Sequence, residues 1–333
     1  MMKQSIVLAS VALAMCCGGC SKSVSKGEYE MAPWPYGKQC AVTFTFDDGC
    51  PNQLTAGIPI FEKYNCLATF YLVKDWVGGN WAPWDDVSAK GHEIACHTVT
   101  HPNLYELSDE AAIAEIAGCQ EVINANIKNL QKPTFAYPYC ATPKNTQWLV
   151  DNYIACRICD KKIESATPAD FLRISSFPVG SETPLINCDS LVQLFEKTKA
   201  QGGWCTLLYH ELDEGTGYSP FPSSELDKTL AYLTNEENSD IYWVETFSEV
   251  AQYIKTRNTT TIEETKETDD SFTFKITSPD WSDNQVLTIV RNLPEGWTDC
   301  AFETDDAGCC EIVDGKIIMT CEPGVDEVTI VKL

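Results

Sequence analysis

Short apolar runs of strand length alternate with helix-length stretches from about residue 40 to about residue 257. Ala41–Phe46, Leu67–Val73, Glu93–Cys96, Thr134–Ala136, Tyr153–Cys156, Arg173–Ser175, Cys205–Tyr209 and Ile241–Val244 read as strands. Asn52–Tyr64, Trp84–Lys90, Asn145–Asn152, Leu191–Ala200, Ser224–Leu233 and Ser248–Thr256 read as helices. The strongest helix opens at Ser108, a good N-cap, and carries Ala, Glu and Ile at helical spacing to about Asn129. About seven strand–helix units in a row imply an α/β fold whose parallel sheet is either open or closed into a barrel. In such a barrel the side chains that do chemistry gather where strands end.

The pattern changes after this region. Residues 258–270 are polar and aromatic-free and are expected as a linker. Short alternating runs follow at 272–276, 286–289, 317–320 and 328–331, with Asp314-Gly315 as a hairpin signal. Residues 271–333 are therefore expected as a small antiparallel β module. At the other end, Lys3 precedes an apolar run from Ile6 to Met15 and then small residues, the pattern of a secretion signal. The run is too short for a stable membrane-spanning helix. Leu13 to Ser21 resembles a bacterial lipobox, so cleavage and lipid attachment are expected at Cys20, with Cys16 as the alternative. The expected division is a lipoprotein signal peptide at 1–19, a tether at 20–37 and the barrel at 38–257. Such a chain is exported and lipid-anchored in the bacterial cell envelope.

Hydrophobic residues make up 44% of the chain and charged ones 22%, ordinary for a globular protein. The formal net charge is -24. Repulsion of that size opposes encounter with nucleic acid and with anionic membranes, and a neutral substrate fits better. The 17 Cys sit inside apolar runs such as Cys66-Leu67-Ala68 and Trp204-Cys205-Thr206, so mostly free, buried thiols are expected. Cys156 to Cys159 has redox-motif spacing but reads better as a strand with two buried thiols.

Asp47 and Asp48 close the apolar run Ala41–Phe46, and Gly49 lets the chain turn sharply there. His97 and His101, two of only 4 His, follow in His97-Thr98-Val99-Thr100-His101-Pro102. A spacing of four points both imidazoles the same way from one turn, which Pro102 keeps from extending. Asp48, His97 and His101 then form the ligand set of an open metal site, with positions left for water and substrate. A bound metal lowers the pKa of water from about 15.7 toward about 7, and Asp47 is available as the base for that water. His210, closing the strand Cys205–Tyr209, is a candidate acid for the leaving group.

These segments, in this order, resemble the polysaccharide deacetylase family, carbohydrate esterase family four, over roughly residues 38 to 255. Thr45-Phe46-Asp47-Asp48-Gly49 is similar to the family's first motif, His97 to Pro102 to its second and Leu208-Tyr209-His210 to its last. The resemblance implies a distorted (β/α) barrel and metal-dependent hydrolysis of N- or O-acetyl groups on an oligo- or polysaccharide. It implies Asp47 as base, Asp48, His97 and His101 as metal ligands, and His210 as acid. Zinc is the first choice of metal, with Co2+, Mn2+, Ni2+ or Fe2+ as alternatives. Phe135-Ala136-Tyr137-Pro138-Tyr139 is similar to the third motif, in which the Tyr139 amide serves as an oxyanion donor.

Two departures stand out. Ala136 occupies the position where the family places the Arg that orients its catalytic Asp, and the fourth motif, an Asp-rich segment ending in Trp, has no clear match. Elimination among Arg157, Arg173, Arg257 and Arg291 leaves Arg157, at the end of its strand, as the expected substitute. His92 is expected to be structural. Trp34, Trp76, Trp81 and Trp84 are candidates for stacking on sugar rings, with at least two of them expected in the core. The competing function is a carbohydrate-binding envelope lipoprotein that kept the fold and metal and lost turnover; retention of Asp47 and His210 favours the enzyme. A non-haem iron oxygenase also uses two His and one carboxylate, but its strand pattern does not fit the β-α alternation.

Overall fold

The computed structural model describes residues 28–213, 215, 217–281 and 285–333; the expected signal peptide and Cys20 lie outside the described residues. In chain order the strands are β1 (Tyr29–Met31), β2 (Cys40–Asp47), β3 (Thr69–Leu72), β4 (Glu93–Cys96), β5 (Thr134–Ala136), β6 (Ala155–Arg157), β7 (Phe177–Pro178), β8 (Trp204–Tyr209) and β9 (Tyr242–Val244). There follow β10 (Thr261–Glu267), β11 (Ser271–Thr277), β12 (Leu287–Asn292), β13 (Cys300–Phe302), β14 (Gly308–Val313), β15 (Lys316–Cys321) and β16 (Glu327–Lys332). Two compact units emerge, Pro33–Asn258 and a second that joins Thr259–Leu333 to the described residues before Pro33, 28–32.

In the first unit, β2 to β9 form one parallel sheet in the order β6-β5-β4-β3-β2-β8-β7, with β9 against the start of β2. Ile174 exchanges backbone bonds with Cys156 (2.9 Å) and Ile158 (2.8 Å), and β7 pairs with β8. The segment 174–178 thereby carries the sheet round from β6 to β8 and gives a distorted (β/α) barrel. Arg173–Ser175 is not the strand the sequence suggests. Phe171–Arg173 is a tight turn, and side chains satisfy the backbone here: the Ser175 amide donates to Glu164 (3.1 Å) and the Ser176 hydroxyl to the Ile158 carbonyl (2.6 Å).

β2 is buried along its whole length, and what alternates along it is size. Val42, Phe44 and Phe46 pack outward under the helices, while Ala41 packs inward with Tyr71, Ala95, Ala136, Ala155 and Trp204. Strand period two carries that inward face to the strand ends. Thr45 leads to Asp47, Ala95 to His97, Ala155 to Arg157 and Leu208 to His210. The interior hydroxyls are paired: Thr45 donates to the Leu207 carbonyl (2.6 Å), and Thr43 accepts from the Trp204 indole (2.9 Å). At the opposite end of the barrel, buried Glu93 accepts from Thr69, Thr134 and the Ser248 amide, and burial pushes its carboxyl up to about 7.

The helix expected over 52–64 is split into a wide turn, Gln53–Gly57, and a regular helix, Ile58–Lys63. Pro59 has no amide to donate to the preceding turn, which loosens the backbone just ahead of it. Ser108 caps the helix Asp109–Asn126 by accepting from the Ala111 amide (3.3 Å).

The second unit holds two four-stranded antiparallel sheets, β1-β12-β15-β14 and β10-β11-β16-β13. Two expected boundaries are corrected here. Residues 258–270 are not a linker, because β10 pairs along β11 from Thr261 to Glu267. The tether 20–37 includes β1, which pairs with β12. Both are edge strands: β10 is mostly exposed and β1 is only three residues long with Tyr29 buried, so neither leaves a periodic apolar signature. Asp314 and Gly315 join β14 to β15 with φ of 49° and 76°, the left-handed pair that a two-residue hairpin demands.

Phe46 stacks on Tyr209 (4.9 Å between ring centroids) and Phe70 (5.3 Å) and meets Phe61 edge-on (5.8 Å). Phe46→Ala is expected to lower unfolding free energy by about 3–5 kcal/mol, read from urea titrations with an unchanged slope. A loss under about 1 kcal/mol would place the ring outside the core.

Candidate active site

Asp47 is the last residue of β2, and Asp48 and Gly49 leave the strand with φ of 76° and 73°. A left-handed Asp is uncommon, and here it turns the Asp48 carboxylate back over the barrel mouth. Asp48 Oδ1 lies 3.8 Å from His97 Nε2 and 3.7 Å from His101 Nε2, and it has no hydrogen-bond partner. His97 Nδ1 sits 2.7 Å from the Ala136 carbonyl, which makes Nδ1 the protonated nitrogen and leaves the Nε2 lone pair facing Asp48. Burial holds His97 down at about 4 and lowers His101, so both imidazoles are neutral. Burial and the Asp47 charge push Asp48 up to about 7.

The two His do not converge through a helical turn. The segment 97–101 is a loop with Thr98 and His101 in the left-handed region, φ of 74° and 60°. Glu115, on the helix Asp109–Asn126, holds it by accepting from the Val99 and Thr100 amides (3.0 and 2.8 Å) and the Thr100 hydroxyl (2.8 Å). The Thr98 hydroxyl accepts from the His101 amide (3.0 Å). Nothing in the sequence singled out Glu115, since it resembles any other acidic residue on an amphipathic helix.

Arg157 Nη2 lies 2.8 and 2.6 Å from the two oxygens of Asp47, both side chains being buried. The guanidinium also sits over the Tyr71 ring at 5.2 Å. Ala136 and Arg157 are register partners on β5 and β6. The cation therefore reaches the carboxylate from the strand beside Ala136. Burial would raise the Asp47 pKa, but the Arg157 charge, with His97 and His210, holds it below the usual carboxylate range.

His210 follows β8 with Nδ1 unpartnered, and burial lowers its pKa against the opposing pull of Asp47. Gln53 Nε2 donates to the Asp47 carbonyl (2.6 Å) and the His210 carbonyl (2.7 Å), locking the ends of β2 and β8 together. Sequence reading missed Gln53, because one amide in a helix carries no signal of its own. Tyr139 lies in the turn Pro138–Cys140 with φ of 55°. The bonds of that turn run from the Cys140 and Ala141 amides to the Tyr137 and Pro138 carbonyls (2.9 and 3.0 Å), leaving the Tyr139 amide outside the pattern. Cys140 and Cys159 form a disulfide, contrary to the expectation for Cys159, while the other described Cys are free.

Trp34, Trp81 and Trp84 are buried, and His92 is structural, accepting from the Ala68 amide (3.1 Å). Trp76 (56% exposed), Tyr139 (70%) and Tyr218 (58%) form the aromatic rim. Trp76 and Tyr139 lie 4.9 and 4.6 Å from the His101 ring, and Tyr218 lies 5.0 Å from His210.

A model of the polysaccharide deacetylase family matches residues 36–153. Over these residues the chain is similar to the polysaccharide deacetylase family. A chitooligosaccharide deacetylase of Rhizobium leguminosarum bv. trifolii is 35% identical over 88 residues, covering 25% of this chain and 39% of that protein. A gellan lyase of Bacillus sp is 25% identical over 298 residues, covering 82% of this chain and 12% of the lyase. The chain thus spans only 12% and 39% of the length of these two curated relatives. A polysaccharide-deacetylase-type crystal structure from Mycobacterium smegmatis aligns with a TM-score of 0.52 at 17% identity, covering 68% of this chain and 93% of that one, a likeness of fold.

Arg157→Met removes the charge and keeps much of the volume. It leaves the Asp47 carboxylate buried without its cation, so a loss of about 3–5 kcal/mol is expected at pH 7 in metal-free protein. Arg157 depresses the folded-state pKa of Asp47, so its contribution is present above the unfolded value, about 3.9, and is lost as pH falls through the folded one. Urea midpoints of both proteins should therefore converge on acidification. A gap that stays constant would assign the loss to packing.

Proposed function

We propose that the barrel is a metal-dependent deacetylase that hydrolyses N- or O-acetyl groups on a neutral oligo- or polysaccharide. The observation that carries this reading is the unpartnered Asp48 Oδ1 facing two neutral imidazoles, with the Asp47–Arg157 pair beside them. Asp48, His97 and His101 each offer one ligand atom, all within 4.8 Å of one another. Ligand atoms about 2.0–2.1 Å from a shared tetrahedral ion lie roughly 3.4 Å apart, so a small inward movement suffices. The donor set, one carboxylate and two imidazoles, suits zinc first, with Co2+, Mn2+, Ni2+ or Fe2+ as alternatives.

A cation held by Asp48, His97 and His101 would supply Lewis acidity, acidifying water and polarising the acetyl carbonyl. Asp47, kept ionised by Arg157, takes the proton from the attacking water. The Tyr139 amide donates to the oxygen that becomes negative, and His210 delivers a proton to the leaving amine or hydroxyl. The products are acetate and the free amine or alcohol. The rim of Trp76, Tyr139 and Tyr218 supports a sugar substrate, because exposed rings stack on the apolar faces of pyranoses. The net charge of -24 supports a neutral one. Export and a lipid anchor on Cys20 complete the proposal and place the enzyme at the bacterial envelope.

Acetate release from a panel of acetylated glycans, with and without chelator, tests the reading. Release abolished by chelator and restored by zinc is expected; none from any glycan would favour the carbohydrate-binding alternative. Asp47→Asn should keep its metal and lose about 10²–10⁴-fold in rate. His97→Ala should lose metal by elemental analysis, and equal metal content in variant and wild type would reject the ligand set. Asp48 carries a proton below about 7, so metal uptake displaces it and affinity rises as pH passes through that value. Calorimetry in buffers of different ionisation enthalpy would count the proton released.

A further inference from the structure

We propose that the Cys140–Cys159 disulfide is a positioning clamp for deacetylation, fixing the Tyr139 amide and the Arg157 guanidinium against each other. The inference rests on the deacetylase reading above. β5 and β6 pair from Thr134↔Ala155 to Ala136↔Arg157, and a last bond runs from the Tyr137 amide to the Arg157 carbonyl (3.3 Å). Beyond it the chains part, since the Ile158 amide turns to the Ile174 carbonyl (2.8 Å). The two groups proposed to act on the substrate and on Asp47 sit at this fork. Tyr139 directly precedes Cys140, and Arg157 lies two residues before Cys159. The disulfide rejoins the chains past the fork with a Cα–Cα distance of 5.8 Å.

Asp47 and the Tyr71 ring hold Arg157, and two backbone bonds close the Tyr139 turn, but past the fork the disulfide is what ties the two groups to each other. The Tyr139 side chain is 70% exposed, and Tyr139 and Cys140 both occupy the left-handed region, φ of 55° and 56°. Two such residues in succession persist only where the surroundings enforce them. Arg157 grips Asp47 through Nη2 alone, and its Nε and Nη1 have no hydrogen-bond partner. The position of the guanidinium therefore follows the backbone at the end of β6. Cys140 and Cys159 are half-buried and within reach of a small thiol. Cys156 is buried on β6, and burial pushes its thiol up to about 12, so it stands apart from exchange.

The test compares wild type, a Cys140→Ser/Cys159→Ser double variant and a Cys156→Ser control. Alkylation of unfolded, unreduced wild type should leave the peptides carrying Cys140 and Cys159 linked. The double variant should retain its fold and zinc content and keep KM within about twofold, the mark of an interaction made in the transition state. Its kcat should fall about 10²-fold, the size expected when reacting groups shift by an ångström. Dithiothreitol, which gives two electrons and two protons to the disulfide and leaves as a cyclic disulfide, should lower wild-type kcat to the same level. Oxidised glutathione should restore it, and the double variant should respond to neither. If the double variant does not fold, the wild type reduced after folding decides: an unchanged kcat overturns the clamp. An active, folded double variant with wild-type kcat overturns it too, as does a loss explained wholly by lost zinc. A wild type that releases no acetate from any glycan overturns the deacetylase reading and the clamp with it.

Discussion

The carboxylate of Asp47, charged and buried, is the constraint around which the barrel mouth is arranged. An uncompensated carboxylate in such a place would take up a proton, and Arg157 prevents that by placing Nη2 within 2.8 Å of both oxygens. Buried ion pairs are a weak source of stability because both partners give up water. Their presence is better explained by what a charged, oriented carboxylate can do. The cation comes from β6, at the register position beside Ala136. Neighbouring parallel strands put paired residues side by side, so an Arg moved across the ladder lands close to where one on β5 would have been.

A second theme is local strain gathered at one place. Asp48, Thr98, His101, Tyr139 and Cys140 all adopt left-handed backbone conformations without being Gly, and all lie in the loops that follow β2, β4 and β5. Each such residue costs about 1–3 kcal/mol and persists because its surroundings fix it. Those surroundings are identifiable. Glu115 holds the loop of the two His, Gln53 joins the ends of β2 and β8, and the disulfide joins the loops after β5 and β6. The rigid scaffold supplies the accuracy, and the strained loops supply the directions in which side chains point.

The edge strands of the second unit show where pattern reading fails. β10 is mostly exposed and β1 is three residues long with only Tyr29 buried, so they look like linker and tether in one dimension. Their partners make them strands. Buried Arg291 pairs with Glu264 (3.0 Å) and Glu267 (2.6 Å) on β10, and Tyr29 on β1 donates to Glu264 (2.7 Å). Those charges read as a solvated stretch until the fold brings the Arg beneath them.

The sequence by itself determined the strand–helix alternation, because strand and helix periods are local and each buried face writes its own pattern of size and polarity. It also determined which residues reach the barrel mouth, because period two carries the inner faces of β2, β4, β6 and β8 to Asp47, His97, Arg157 and His210. Four short motifs carry its resemblance to the polysaccharide deacetylase family. Only the tertiary structure decided how those residues face one another. The convergence of His97 and His101 through a left-handed loop, the single-nitrogen grip of Arg157 on Asp47, and the pairing of Cys159 with Cys140 depend on segments far apart in sequence. Such contacts leave no periodic trace, since a side chain that braces a distant loop needs only the right length and polarity, which many residues share.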